Sequence, residues 1–148
     1  MASLKENSHS GFIDFSWEKR EAVSYIDKLR IKTPSDSAII KNLSGGNQQK
    51  VVIAKWLLAK SKILIMDEPT RGIDVNAKAE IYELMKNFVE EGGSIILVSS
   101  ELPEVLGCSN RIMVMREGYV TGFLDSAEAT EENVMLFASK GNEEVVYE

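Results

Sequence analysis

Ala22, Ile26 and Leu29 recur at helical spacing behind Ser16, a residue type that caps helix N-termini, and so predict a first helix from Ser16 to about Arg30. Thr33-Pro34-Ser35-Asp36-Ser37 then breaks the chain. A second helix is expected from near Gly45 to Ala59 or Lys60. Its Val51, Val52, Ile53, Ala54, Trp56, Leu57 and Leu58 are too densely apolar for a single buried stripe, which predicts burial on most sides. Ile63 to Met66 is a short apolar run that stops at Asp67-Glu68-Pro69, the pattern of an interior parallel strand whose C-terminal end opens into a site.

Ala77, Ile81, Leu84, Met85 and Phe88 share one face of a third helix that Gly92-Gly93 ends. Ser94 to Val98 reads as a second buried strand, followed by a short helix from about Glu101 to Leu106 that gives way past Gly107. Strands at Arg111 to Met115 and Tyr119 to Leu124, turned by Glu117-Gly118, form a terminal hairpin, and Thr130 caps a last helix through Ala138. This alternation of strand and helix predicts an α/β fold with parallel strands flanked by helices. Residues 1–11 read as a flexible leader, 12–140 as the folded part, divided into 12–60 and 61–140, and 141–148 as a loose tail.

At 148 residues and 44% apolar, the chain has the ordinary composition of a globular domain. A formal charge of −6 has the wrong sign for a protein that neutralises phosphates along a nucleic acid. No apolar run approaches the roughly 20 residues needed to span a bilayer, so no direct membrane insertion is expected. The N-terminus lacks the apolar stretch of a secretory signal and Cys108 is the single cysteine, which reads as cytoplasmic. With one Cys and one His (His9), zinc clusters and His-based triads are excluded within the chain.

Chemistry is concentrated in four short stretches. In Leu43-Ser44-Gly45-Gly46-Asn47-Gln48-Gln49-Lys50 a hydroxyl and two glycines open a helix, whose free N–H groups and positive dipole end suit an anion. A plain Ser cap with glycines in a tight turn would give the same pattern. Asp67 and Glu68, adjacent at a strand end, suit Mg²⁺ handling by the first and activation of a water by the second, although a solvated acidic turn reads the same. Gly72-Ile73-Asp74 and Val98-Ser99-Ser100-Glu101 complete the set.

Together and in this order these residues resemble the ATP-binding cassette family. Leu43 to Gln49 is similar to its signature motif, Ile63 to Glu68 to its Walker B strand with the catalytic glutamate, Arg71 to Asp74 to its D-loop, and Ser99-Ser100 to its switch loop. The wording Asn47-Gln48-Gln49-Lys50, Asp67 through Val75 and Ser99 through Glu104 resembles the C-terminal cassette of tandem sugar-import subunits of the ribose, galactose and xylose type. The resemblance implies ATP and Mg²⁺ as cofactors. It makes Ser44, Gly45, Gly46, Gln48 and Asp74 contacts for ATP held by a second cassette, Asp67 the Mg²⁺ residue through water, and Glu68 and Ser100 the catalytic positions. Transmembrane permease subunits would be the other partners, with the protein peripheral on the inner face of the cell membrane.

Two departures qualify that picture. No Gly is followed by Lys, so the phosphate-cradling loop G-x-x-x-x-G-K-[ST] is absent, and the chain resembles the C-terminal part of a cassette without its phosphate-loop strand. The chain alone is then expected to be inactive, with an open sheet flank that favours self-association. The switch position, usually His in the family, is Ser100, which cannot supply an imidazole's charge or proton relay. The expected function is a fragment of the subunit that couples ATP hydrolysis to carbohydrate import. A non-catalytic interaction module and a cassette ATPase of DNA-repair or ribosome-associated type are the alternatives.

Overall fold

The computed structural model describes residues 8–9 and 12–139. Of the leader expected at 1–11, only Ser8–His9 (β1) is described, paired antiparallel with Phe12–Ile13 (β2), and the tail expected at 141–148 lies outside the described residues. The described chain divides into two compact units, the first ending at Ile96 and the second beginning at Leu97.

In the first unit, α1 (Phe15–Lys28) is capped by Asp14, whose carboxylate accepts from the N–H groups of Ser16 and Trp17 at 2.9 and 3.0 Å. This corrects the expected cap at Ser16. A carboxylate reaches two orphan donors at once, and Ser16 falls inside the first turn. Arg30 takes a left-handed φ of 49° just past the helix. The Arg30 N–H bonds to the Asp27 carbonyl and the Ile31 N–H to the Ile26 carbonyl, which closes the helix end and turns Ile31 inward. A single 3₁₀ turn, Ile40–Asn42, precedes α2 (Gly45–Leu58).

Helix α2 buries Gly46, Lys50, Ile53 and Ala54, while Val52 and Trp56 stay exposed, which corrects the expectation of burial on most sides. Its apolar run is wide enough for two packing surfaces, but among the described residues its helical neighbours, α1, the 3₁₀ turn and α3 (Val75–Glu90), leave the Val52 and Trp56 side open. The core there joins Leu29, Ile31 and Ala54 with Tyr25, Ile26, Leu43, Val51, Leu57 and Leu84, and Ile81 of α3 is fully buried. Each large side chain so buried contributes roughly 1.5–3 kcal/mol. Gly92, at a φ of 91°, takes the left-handed position that ends α3.

Strands β3 (Ile63–Asp67) and β4 (Ser94–Val98) form a two-stranded sheet. They are not the interior strands that continuous apolar runs predict. Leu64 is 5% exposed, but Ile63 and Ile65 on the alternate side are 61% and 73% exposed, and Ile96 and Val98 are also open. Among the described residues only one side of the sheet carries packing, so strand alternation decides which isoleucines are covered.

The second unit continues through α4 (Leu102–Cys108), with Pro103 in its first turn. Gly107 lies inside this helix rather than ending it, and Ser109 forms the cap. Strand β5 (Arg111–Arg116) pairs antiparallel with β6 (Tyr119–Asp125) in a sheet of its own, turned by Glu117 and Gly118 at φ of 51° and 86°. Thr130 and Asn133 cap α5 (Glu131–Ser139) reciprocally, as the sequence predicts for Thr130. Val134 of α5 packs on Ile112 and Val114, and the Phe137 ring lies where a Cβ at Gly122 would project.

Candidate functional site

Ser44 occupies the cap position of α2 with an extended backbone, yet its side chain bonds to none of the helix N–H groups. Instead, Asn47 Nδ2 donates to Ser44 Oγ at 2.7 Å, and Asn47 Oδ1 accepts from the Lys32 N–H at 2.7 Å. A plain Ser cap is therefore not what this hydroxyl forms. Gln48 turns back on itself, with Nε2 donating to the Leu43 carbonyl at 2.8 Å.

The two glycines answer to packing. A Cβ at Gly46 would lie 2.5 Å from Ala77 Cβ, closer than two carbons can approach, so the start of α2 touches α3 directly. A Cβ at Gly45 would lie 3.3 Å from Ile73 Cγ2 and 3.8 Å from the Gly72 carbonyl. The first turn of α2 is thus laid against the Gly72-Ile73 turn and the first turn of α3.

These contacts leave a cleft of about 170 Å³ whose polar lining comprises Lys32, Ser44, Asn47, Asp74, Asn76 and Glu80. Asp74 caps α3, accepting from the Ala77 N–H at 3.0 Å. Lys50, 2% exposed, puts its ammonium 2.6 Å from a Glu80 carboxylate oxygen and 3.2 Å from the Arg30 carbonyl. The hydrogen bond from Lys50 leads in holding the Glu80 carboxyl below the ordinary carboxylate range; burial opposes it next, and the charges of Lys50 and Lys32 add to the lowering against that of Asp74.

At the end of β3, Asp67 is exposed, Glu68 is half-buried, and Pro69 and Thr70 are buried. Glu68 has a φ of 46°, the left-handed region that non-glycine residues avoid. Among the described residues the other non-glycine cases have local reasons: Arg30 and Lys60 follow helix ends, and Glu117 sits in the hairpin turn. Glu68 is instead held between a strand and Pro69, and proline disfavours such compact backbone in the residue before it. The Glu68 carbonyl accepts from the Arg71 N–H at 3.2 Å, which starts the turn through Gly72 at a φ of 74°. Strain of this kind, of order 1–3 kcal/mol, clusters at functional positions.

No group of three or more His, Cys, Asp or Glu residues that could hold a metal ion occurs among the described residues. An exposed carboxylate at a strand end fits a hard cation that keeps most of its waters and completes its shell with substrate oxygens, as Mg²⁺ does. Ser100 follows β4 in the second unit and is exposed, while Ser99 Oγ accepts from the Glu101 N–H at 3.0 Å. Burial, helped by the charge of Glu104, pushes the Cys108 thiol up, so it offers no nucleophilic thiolate near neutral pH.

Of the residues singled out from sequence, Ser44, Gly46 and Asp74 meet at one cleft, and Gly45 packs beside them on the Gly72-Ile73 turn. Gln48 is not on that wall, and Asn47 is. Asn47 stands three residues after Ser44, the capping-box spacing, and that signal could have pointed to it. Lys32 and Glu80 join through tertiary packing that no local pattern reveals.

Residues 1–71 match the profile of a family described as ABC transporter. The ribose import ATP-binding protein RbsA 1 of Rubrobacter xylanophilus is 57% identical over 127 residues, covering 86% of this chain and 26% of the relative. The xylose import ATP-binding protein XylG of Moorella thermoacetica is 53% identical over 141 residues, covering 95% and 28%. The chain spans about a quarter of the length of the curated relatives it matches. A solved nucleotide-free ATP-binding cassette from an ABC transporter shares the fold with a TM-score of 0.70 at 21% identity, over 88% of this chain and 50% of its own. On these grounds the chain belongs to the ABC transporter family, as part of its ATPase domain.

Proposed function

We propose that the chain works within the ATP-binding subunit of a carbohydrate importer, contributing the surface that meets a nucleotide held by a second cassette and the two carboxylates that serve its own. The observation that carries this reading is the cleft that unites Ser44, at a helix start whose first N–H groups its side chain leaves uncapped, with Asp74. Relatives above 50% identical that are named as ribose and xylose import ATP-binding proteins supply the substrate class.

In this reading the Ser44 hydroxyl and the first N–H groups of α2 grip the terminal phosphate presented across the cassette pair, aided by the helix dipole. Gly45 and Gly46 let the first turn of α2 lie against Ile73 and Ala77 beside that approach, with Asn47 and Asp74 bordering it. Asp67 would hold Mg²⁺ through water, and that cation would neutralise charge developing on the phosphates. Glu68 accepts a proton from the attacking water. Ser100, where an imidazole is usual, brings no positive charge, so this cassette's own site hydrolyses slowly. Separation of the cassettes after hydrolysis would drive membrane permease subunits, which also hold the protein at the inner face of the membrane. Among the described residues no helix is long and apolar enough to cross it.

The test is ATP-driven ribose or xylose uptake into vesicles carrying the intact subunit with its permease. Ser44→Ala should lower uptake about tenfold or more, since a hydrogen bond to a charged group contributes roughly 1.5–3 kcal/mol. Nucleotide bound to the mutated cassette's own phosphate loop should be unaffected. Unchanged uptake would remove the phosphate role from Ser44.

A further inference from the structure

We propose that Asn47 is a positioning residue that fixes the direction of the Ser44 hydroxyl, so that its proton points outward as a donor to a phosphoryl oxygen. The inference rests on the reading above that Ser44 meets a phosphate. It follows from the directionality of two hydrogen bonds. A backbone N–H can only donate, so the group of Asn47 that faces the Lys32 N–H at 2.7 Å is its oxygen. The other half of the amide, Nδ2, can only donate, and it lies 2.7 Å from Ser44 Oγ. The amide therefore has one orientation, Ser44 Oγ accepts from it, and the hydroxyl proton must leave along a different direction.

Two further features keep the arrangement in place. The Ser44 side chain makes no bond to the N–H groups of its own helix, so capping does not compete for it. The strap that carries the Lys32 N–H is anchored at the two residues before it: the Arg30 carbonyl accepts from the buried Lys50 ammonium at 3.2 Å, and Ile31 is 7% exposed in the core. Lys32 thus enters the relay through its backbone N–H, which donates to Asn47 Oδ1.

Asn47→Asp is close to isosteric and inverts the logic. A carboxylate still accepts from the Lys32 N–H but can only accept from Ser44, which turns the hydroxyl proton inward and away from a phosphate. The experiment measures the Mg·ATP concentration that half-drives cassette pairing in the intact subunit, together with nucleotide affinity at the mutated cassette's own phosphate loop. Asn47→Asp and Ser44→Ala should each raise that concentration about tenfold or more, the Asn47→Ala, Ser44→Ala double variant, which adds no charge, should be no worse than Ser44→Ala alone, and own-loop affinity should stay unchanged. Should Asn47→Asp fail to fold, Asn47→Ala carries the same comparison, because it removes the donor to Ser44 Oγ without adding charge.

Normal pairing in Asn47→Asp alongside impaired pairing in Ser44→Ala would overturn the positioning role and leave the phosphate reading intact. Losses that multiply in the double variant would also overturn it, since Asn47 would then act independently of Ser44. Normal pairing in Ser44→Ala would overturn the underlying reading itself.

Discussion

The ammonium of Lys50 lies 2.6 Å from the Glu80 carboxylate and ties α2 to α3 at the wall of the cleft that holds Ser44. One partner is buried and the other is open to water, with side-chain exposures of 3% and 41%. The pair therefore stabilises less than a fully enclosed one, and removing Glu80 leaves a buried charge with a single carbonyl partner in its place.

Glu80→Gln should destabilise the protein by about 1–2 kcal/mol at neutral pH. Because folding lowers the Glu80 pKa, its contribution is fully present above the ordinary carboxylate range and is lost as pH falls through the folded value. Thermal melts should show a gap between the two proteins at pH 7 that narrows as pH falls below the ordinary carboxylate range. A gap that widens on acidification would contradict the sign of the coupling.

Gly46→Ala should cost about 1–3 kcal/mol through overpacking against Ala77, with partial recovery in the Gly46→Ala, Ala77→Gly double variant. Denaturant unfolding of the single and double variants measures it. If Gly46 served only close approach to a phosphate, the single variant would unfold like the parent.

Glu68→Gly should be more stable than Glu68→Ala by about 1 kcal/mol, because glycine adopts the positive φ at position 68 without a Cβ clash. Comparing Gly with Ala removes the carboxylate from both and isolates the backbone. In the intact subunit each should slow hydrolysis at this cassette's own site by the roughly 10²–10⁴-fold that a general base supplies, less whatever the absence of a switch imidazole has already cost. Equal melting temperatures would mean that the strand end carries no backbone strain.

Much of this was legible in the sequence because the signals were local. The end of α3, the bounds of β4, the Glu117-Gly118 turn and the Thr130 cap follow from apolar spacing, positive-φ demand and side-chain capping chemistry within a few residues. What misled was tertiary. Continuous apolar runs at Ile63 to Met66 and in α2 announce two packing surfaces, while the described residues cover one. Asp14 outcompeted Ser16 because both can cap and only the start of the helix decides between them. At the site, motif spacing drew attention to Gln48, but the helix turn aims that side chain at Leu43 and gives the cleft to Asn47. The Lys50 contact to Arg30, twenty residues away, has no local signature at all.

In the proposed function this chain offers a phosphate-contacting surface and a pair of carboxylates but not the loop that holds a nucleotide. Titration calorimetry of Mg·ATP into the 148-residue chain tests it directly. Without the lysine and backbone donors of a phosphate loop, three or more charge-assisted bonds of roughly 1.5–3 kcal/mol each are missing, a loss on the order of a thousandfold or more. The expected Kd is about a millimolar or weaker. A micromolar Kd for the chain alone would contradict it.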